Sequence, residues 1–340
     1  MRLDKVKMPL VIAEISGNHG GSLDKAKALI EECSKSGADM VKLQTFKPET
    51  ITVNGKDNRF MIKKGLWAGS RLHDLYKRAM TPWEWHGPLA QHAQDFGIPL
   101  FSSPFDETAV DFLESRINPP LYKIASFELN HFPLLRRIGE TQKPVIASIG
   151  VSEQDIIFKA LQCLYDTGCP RVTLLHCVSE YPAEPDDFFL REMPLIREKY
   201  GTDFGISDHS LGHLVAVAAT ALGATVIEKH FTLDRNLDSV DGAFSMLPNE
   251  FAEMVNAVHL TKRSIGSHVG KKIISPDSAF YKRSILVSEN INKGEEFTEL
   301  NIRIARPGDG MCPSMWSEIL GARSSRDLVI GHPLSTEDIA

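Results

Sequence analysis

The chain has no CxxC pair, no Walker loop and no GxGxxG fingerprint. Spacing alone therefore gives no support to a zinc cluster, a P-loop or a nicotinamide dinucleotide site. Cysteine is sparse: Cys33, Cys163, Cys169, Cys177 and Cys312 are odd in number and scattered, which predicts reduced thiols rather than a disulfide frame. Long apolar runs are lacking too. The longest, residues 214–227, is broken by Gly223 and is too short to span a bilayer, so no membrane partner is expected. The first residues carry no apolar h-region, and a cytoplasmic location is expected. Positive charge is the minority sign: 38 Lys and Arg against 44 Asp and Glu give a formal charge of -6. Binding through nucleic-acid phosphates needs a clustered cationic surface, so no nucleic-acid partner is expected, while an anionic small molecule in a locally basic pocket stays open.

What is present is a rhythm. Apolar runs at residues 10–14, 40–44, 99–103, 121–126, 144–148, 172–177, 205–209 and 226–230 are each followed by a helical pattern, the last over 248–265. Runs apolar almost throughout, separated by crossovers of helical length, predict a parallel sheet covered by helices. Eight such units within 1–266 predict a closed (β/α)8 TIM barrel, an α/β fold, rather than an open doubly wound sheet. Residues 46–80 break the rhythm: they are polar, carry Gly55, Gly65 and Gly69, and include Gly65-Leu66-Trp67. An excursion of this length on a regular scaffold reads as a lid or specificity loop. Thr81-Pro82 then starts a helix, with threonine as cap and proline at the first helical position. The run near 188–199 reads as one further helix. Residues 267–280 read as a linker, and 281–340 as a small β-rich domain whose thin core calls for a partner surface.

In such a barrel the active site lies at the C-terminal strand ends. Those ends present Glu14, Lys42, Gln44, Ser103, Lys123, Ser126, Glu128, Ser148, Ser179, Ser207, His209, Glu228 and His230. Any one serine reads first as a turn or helix-cap residue. Five on successive strands, with two lysines, instead describe a pocket for a compact dianion: lysines neutralise charge and hydroxyls donate hydrogen bonds.

Gly205-Ile206-Ser207-Asp208-His209 and Val226-Ile227-Glu228-Lys229-His230 each end a strand on a histidine. Neighbouring strands lie about 4.8 Å apart, a gap that two ligands of one metal ion can bridge. The plainer alternative is one core histidine and one turn cap. Two protein ligands would leave a divalent ion open positions for water and substrate oxygens. Strand periodicity puts Glu228 on the face of His230, as a group orienting a metal-bound water or ligand, and puts Lys229 on the other face, buried or paired against the helices.

The runs Ala13-Glu14-Ile15-Ser16-Gly17-Asn18-His19, Lys42-Leu43-Gln44-Thr45, Tyr122-Lys123-Ile124-Ala125-Ser126, Ser207-Asp208-His209 and Ile227-Glu228-Lys229-His230 resemble the sialic acid synthase family. The tail Arg306-Pro307-Gly308-Asp309-Gly310 is similar to the signature of the antifreeze-like (SAF) domain that closes those enzymes. The similarity covers nearly the whole chain in order. It implies condensation of phosphoenolpyruvate with an N-acetylated amino sugar to a nine-carbon 2-keto acid, with release of phosphate. It further implies that Lys42, Ser103, Lys123, Ser126, Ser148, Ser179, Ser207 and His230 hold phosphoenolpyruvate. Gln44 is counted with these substrate-binding groups. His209 and His230 would bind a divalent metal ion, Mn²⁺ first, with Mg²⁺ or Co²⁺ as alternatives. Glu14, Glu128, Tyr181 and Asp241 would face the sugar, and Glu228 joins Glu14, Glu128, His230 and Asp241 as a catalytic group. Arg306 would reach the sugar pocket of the other subunit in a domain-swapped homodimer.

Gly65-Leu66-Trp67, Arg71-Leu72, Thr81-Pro82-Trp83-Glu84-Trp85-His86 and Phe101-Ser102-Ser103-Pro104-Phe105 are similar to the pseudaminic acid synthase branch. Its sugar is a 2,4-diacetamido-2,4,6-trideoxy-altrose. Ser179 stands where the sialic acid branch commonly has asparagine. Ile149, where family members usually carry threonine, and the loop 239–245 depart from the pattern and bear on sugar choice. N-acetylneuraminate or legionaminic acid synthesis is the nearest alternative. A carbohydrate- or ice-binding protein using 281–340 alone is the non-enzyme alternative, and a Schiff-base aldolase on Lys123 is a third.

Overall fold

The computed structural model of the chain describes residues 8–235, 239–266 and 275–340, and it separates into two compact units, Met1–Ser267 and His268–Ala340. In the first unit the strands are β1 (Leu10–Glu14), β2 (Met40–Thr45), β3 (Leu100–Pro104), β4 (Tyr122–Ile124), β5 (Val145–Ser148), β6 (Val172–Cys177), β7 (Asp203–Asp208) and β8 (Val226–His230). They pair in sequence order into a closed barrel, with β8 returning onto β1 in parallel so that Glu14 lies opposite His230. The covering helices are α1 (Leu23–Lys35), α2 (Pro48–Ile51), α3 (Leu72–Ala79), α4 (His86–Asp95), α5 (Glu107–Arg116), α6 (Phe132–Gly139), α7 (Gln154–Asp166), α8 (Met193–Tyr200), α9 (Leu214–Ala221) and α10 (Pro248–Ile265).

Local chemistry starts these helices. The Ser22 side chain accepts from the N–H of Lys25 at the head of α1, and Asp106 accepts from the N–H groups of Thr108 and Ala109 at the head of α5. Each such cap satisfies donors that the first helical turn leaves open.

The period-two alternation of the strands divides the barrel into two faces. Val11, Ala13, Val41, Leu43, Tyr122, Ile124, Phe204, Ile206 and Ile227 point outward into the core shared with the helices. Ile12, Met40, Phe101, Ile146, Leu175 and Val226 form a separate apolar layer inside. Two residues further along each strand, the same inner face carries Glu14, Lys42, Ser103, Ser148, Cys177 and Glu228. The barrel interior is thus an apolar floor under a charged layer. Position 205 also falls on this inner face, and it is glycine because a Cβ there would stand 2.3 Å from the carbonyl oxygen of Val226.

Residues 46–80, the expected lid or specificity loop, hold α2, a 3-10 turn at Asn58–Phe60, a bridge between Met61 and Arg71, and α3, which buries Leu75 and Ala79. Three local expectations need correction. Pro82 is the cap of a 3-10 turn, Trp83–Trp85, and α4 follows only at His86. β4 is shorter than the apolar run, so Ser126 stands in the 3-10 turn Ser126–Glu128. The stretch near 188–199 is interrupted at Phe189, which adopts left-handed backbone, and only Met193–Tyr200 is α-helical.

In the second unit α11 (Pro276–Phe280) occupies the described end of the expected linker, whose residues 267–274 lie outside the described ones. β9 (Ser284–Val287) and β10 (Ile302–Ala305) pair antiparallel, and α12 (Trp316–Ile319) follows. Ile285, Val287, Ile291, Phe297, Ile302, Leu328 and Leu334 form its small core.

Candidate active site

The charged layer is a single hydrogen-bonded cluster. Lys42 Nζ lies 2.6 Å from Glu14 Oε2 and 3.2 Å from Glu228 Oε1, and donates to Ser103 Oγ at 3.4 Å. Lys123 Nζ donates to Ser148 Oγ at 2.8 Å and lies 3.4 Å from the same Glu228 oxygen. Ser207 Oγ donates to that oxygen at 3.1 Å. Glu228 is thereby the shared counter-ion of both lysines, a pairing that the strand pattern alone did not give. The reason lies in topology: closure of β8 onto β1 brings Glu228 beside strands that start the chain.

The charges of this cluster are set by its burial. Burial pushes the Glu228 carboxyl up, but Lys123 and Lys42 win and hold it at about 2. Glu14 is lifted to about 7 by burial, against the pull of Lys42. Burial also lowers Lys123, whereas at Lys42 it is outweighed by Glu14 and Glu228, which raise it. Two cations thus share one firmly ionised carboxylate, and Glu14 is poised to change charge near neutrality. Such a site suits a dianion.

Beside this layer stand His209, the first residue after β7, and His230, the last of β8. Their ring centroids are 5.4 Å apart. His209 Nδ1 lies 2.8 Å from the carbonyl oxygen of Val178. A carbonyl only accepts, so Nδ1 carries a proton. Burial lowers the pKa of this ring, but Cys177 and the Val178 carbonyl win and raise it, so Nε2 offers a lone pair once its proton is displaced. His230 Nδ1 is buried with no hydrogen-bond partner among the described residues. Burial, followed by His209 and Lys42, holds this imidazole well below its usual pKa, hence neutral.

Among the described residues no group of three or more His, Cys, Asp and Glu is arranged to hold a metal ion. The pair of imidazoles, one anchored through Nδ1 so that Nε2 is left for a ligand and one with a buried unpartnered nitrogen, nevertheless fits a divalent ion that keeps other positions for water and substrate. Asp241 Oδ2 lies 3.9 Å from His230 Nδ1 and accepts from Ser16 Oγ.

An aromatic wall stands over the pair. The ring centroid of Tyr181 lies 4.5 Å from that of His209 and 5.2 Å from that of Phe244, and the centroids of Phe244 and His230 are 4.8 Å apart and those of Trp67 and Tyr181 5.4 Å apart. Next to the wall a cavity of about 520 Å³ opens between the loops after β1, β2 and β8, lined by Gly20, Trp67, Lys77, Arg78, Arg235 and Val240. A second cavity, of about 470 Å³, lies at the opposite mouth among the starts of the strands, at Leu10, Val145 and Val226.

The remaining expected residues are placed as follows. Ser126 Oγ accepts from the N–H of Val151 at 3.0 Å and so ties two loops together. Ser179 Oγ is 3.6 Å from Cys177 Sγ. Gln44 is half-buried on the inner face beside Ser103 in register. Glu128 Oε2 is buried without a partner among the described residues, and burial lifts its pKa to about 7 against Lys123. Arg306 is exposed in the second unit, where its peptide bond to Pro307 is cis.

Sequence reasoning missed Ser16, Asn18, Phe244 and Cys177. Asn18 Nδ2 donates to the carbonyl of Phe231 at 2.9 Å and to Ser245 Oγ at 2.8 Å, which fastens the loop carrying Asp241. Ser16 and Asn18 lie in the turn between β1 and α1, and no local pattern there points to their distant partners.

The NeuB family model matches residues 29–270, and the SAF domain model matches residues 282–340. The chain belongs to the NeuB family. This NeuB family chain is 40% identical over 335 residues to a pseudaminic acid synthase of Campylobacter jejuni subsp. jejuni serotype O:2, covering 98% of the chain and 97% of that relative. It is 41% identical over 335 residues to a pseudaminic acid synthase of Helicobacter pylori, covering 97% and 98%. Among solved structures it is similar to an N-acetylneuraminic acid (sialic acid) synthetase from Leptospira borgpetersenii crystallised with citrate, with a TM-score of 0.70 and 29% identity, covering 82% of this chain and 93% of that one.

Proposed function

We propose that this NeuB family chain is a pseudaminic acid synthase. It condenses phosphoenolpyruvate with 2,4-diacetamido-2,4,6-trideoxy-altrose to a nine-carbon 2-keto sugar acid. The observation that carries the reading is the buried layer in which Lys42 and Lys123 share Glu228 and reach Ser103 and Ser148, directly beside two imidazoles. The identity to the two pseudaminic acid synthases supports the choice of sugar.

In the reaction the C3 carbon of phosphoenolpyruvate bonds to the sugar aldehyde carbon, water adds at C2, and the C2–O bond to phosphate breaks. Lys42 and Lys123 neutralise the phosphate and the carboxylate, with Ser103, Ser148 and Ser207 as hydroxyl donors and Ser126, Ser179 and Gln44 bordering them. Glu14 and Glu128, both lifted to about 7 by burial, hold or release a proton near neutral pH and are the acid–base groups. Asp241 and Tyr181 border the sugar beside the histidines. His209 and His230 would hold a divalent ion, Mn²⁺ first, with Mg²⁺ or Co²⁺ as alternatives, which when bound would supply Lewis-acid polarisation of the aldehyde. The same reading includes a homodimer in which Arg306 completes the sugar site of a partner copy.

A phosphate-release assay with phosphoenolpyruvate and a panel of N-acetylated amino sugars tests this. Turnover is expected with the altrose derivative, lost on chelation and restored by Mn²⁺. Turnover confined to another sugar of the panel moves the chain to the sialic or legionaminic branch. Undiminished turnover in His230→Ala overturns the chemistry itself.

A further inference from the structure

Asp208 and Lys229 stand opposite each other in register on β7 and β8, each immediately before a histidine of the pair. The alternation that sends Glu228 and His230 inward turns these two outward, where each is 1% exposed. Lys229 Nζ donates to Asp208 Oδ2 at 2.8 Å and to the carbonyl of Ser210 at 2.6 Å. Asp208 Oδ1 accepts from the N–H of Ser210 at 2.8 Å and from its hydroxyl at 2.6 Å. The residues on both sides of His209 are thereby fastened to the residue before His230.

The proposed chemistry uses none of these groups. Stability is a weak reason for them as well, because desolvation offsets most of the attraction within a fully buried ion pair. What such a cage does fix is distance. His209 cannot shift along the barrel rim relative to His230 without breaking charged hydrogen bonds that have no water to replace them. Its ring is held separately by the Val178 carbonyl, so backbone position and ring orientation are both set.

We infer that the buried Asp208–Lys229 pair, with Ser210, sets the spacing of the His209 and His230 imidazoles for one divalent ion. The inference rests on the reading of the two histidines as metal ligands. Asp208 and Lys229 are positioning residues that act through them.

The test compares the full-length chain with Asp208→Asn/Lys229→Met, Ser210→Ala and His209→Ala. Asparagine keeps the oxygen that accepts from the Ser210 N–H, and methionine fills the lysine volume without its charge. Mn²⁺ affinity is read from the electron paramagnetic resonance of free Mn²⁺, and melting is followed on the metal-free protein. The wild type is expected to bind and His209→Ala to lose binding. The double variant is expected to bind about tenfold more weakly or worse, the usual scale for groups that orient metal ligands, with little change in metal-free melting. Ser210→Ala, which removes one hydroxyl only, is expected to weaken binding about threefold and serves if the double variant does not fold. Wild-type affinity in whichever of these two folds, with binding lost in His209→Ala, overturns the positioning role alone. No Mn²⁺ binding by the wild type, or full binding by His209→Ala, overturns the metal reading and this inference with it.

Discussion

The indole N–H of Trp67 donates to the carbonyl of Val240 at 2.8 Å, and this bond ties the excursion after β2 to the loop after β8. It closes the aromatic wall over the histidine pair, because Trp67 packs on Tyr181 and Tyr181 on His209. Trp67→Phe keeps an apolar ring and removes the donor. A neutral hydrogen bond contributes about 1 kcal/mol, a factor of about five. The KM for the sugar is therefore expected to rise about fivefold in initial-rate phosphate assays, with the KM for phosphoenolpyruvate unchanged. Equal shifts in both constants would take the wall off the sugar side.

Glu228→Gln probes the layer below. The amide cannot balance two buried ammonium groups, and Glu14, lifted to about 7, is a weak substitute. Removing one partner of a buried ion pair destabilises by roughly 3–5 kcal/mol. Urea unfolding should register a loss of that order, and phosphate release should fall at least about a hundredfold as Lys42 and Lys123 lose their common anchor. A variant of normal stability and normal turnover would show that the lysines position themselves.

Much of this was legible in the sequence, for a definite reason. A strand alternates with period two, so once eight strands are counted, Glu14, Lys42, Lys123 and Glu228 fall on one face at one end. Pairing is a different matter. Lys42 and Glu228 meet only because β8 closes onto β1, and the sequence around Glu228 suggests a metal-orienting group as readily as a counter-ion. Ser16 and Asn18 sit in a turn that the glycines announce, yet their partners Asp241, Phe231 and Ser245 lie more than two hundred positions away, beyond any local pattern. Within residues 46–80, turn residues at 55, 65 and 69 hide a short helix whose apolar face, Leu75 and Ala79, only makes sense against the barrel.

Glu128 links pH to stability. Its carboxyl is lifted from 4.5 to about 7 by burial. A raised carboxyl contributes stability that is fully present below the unfolded value and is lost as pH rises through the folded one, so above about pH 7 the buried charge is a cost. Glu128→Gln is expected to melt higher than the wild type at pH 8.5, with the gain gone at pH 4, while turnover falls at least about a hundredfold for want of an acid–base group. A gain of equal size at both pH values would assign it to packing rather than to ionisation.

Asp338 gives the opposite sign in the second unit. Its side chain is 0% exposed. It accepts from Arg326 Nε at 2.8 Å, His332 Nε2 at 3.0 Å, and the N–H and hydroxyl of Ser335 at 2.8 and 2.9 Å. Burial opposes ionisation, but the Ser335 N–H, His332 and Arg326 win and hold the carboxyl at about 2, below its usual 3.8. A depressed carboxyl contributes stability that is present above the unfolded value and is lost as pH falls through the folded one, here about 2 kcal/mol that vanishes between about pH 4 and pH 2. Asp338→Asn is expected to speed hydrogen exchange at the N–H of Ser325, which donates to the Asp338 carbonyl at 2.9 Å. The increase should be about thirtyfold at pH 7 and absent at pH 2 after correction for intrinsic rates. Equal protection in variant and wild type at pH 7 would mean that the small core around Ile285, Ile291 and Leu328 holds this unit together without the charged cluster.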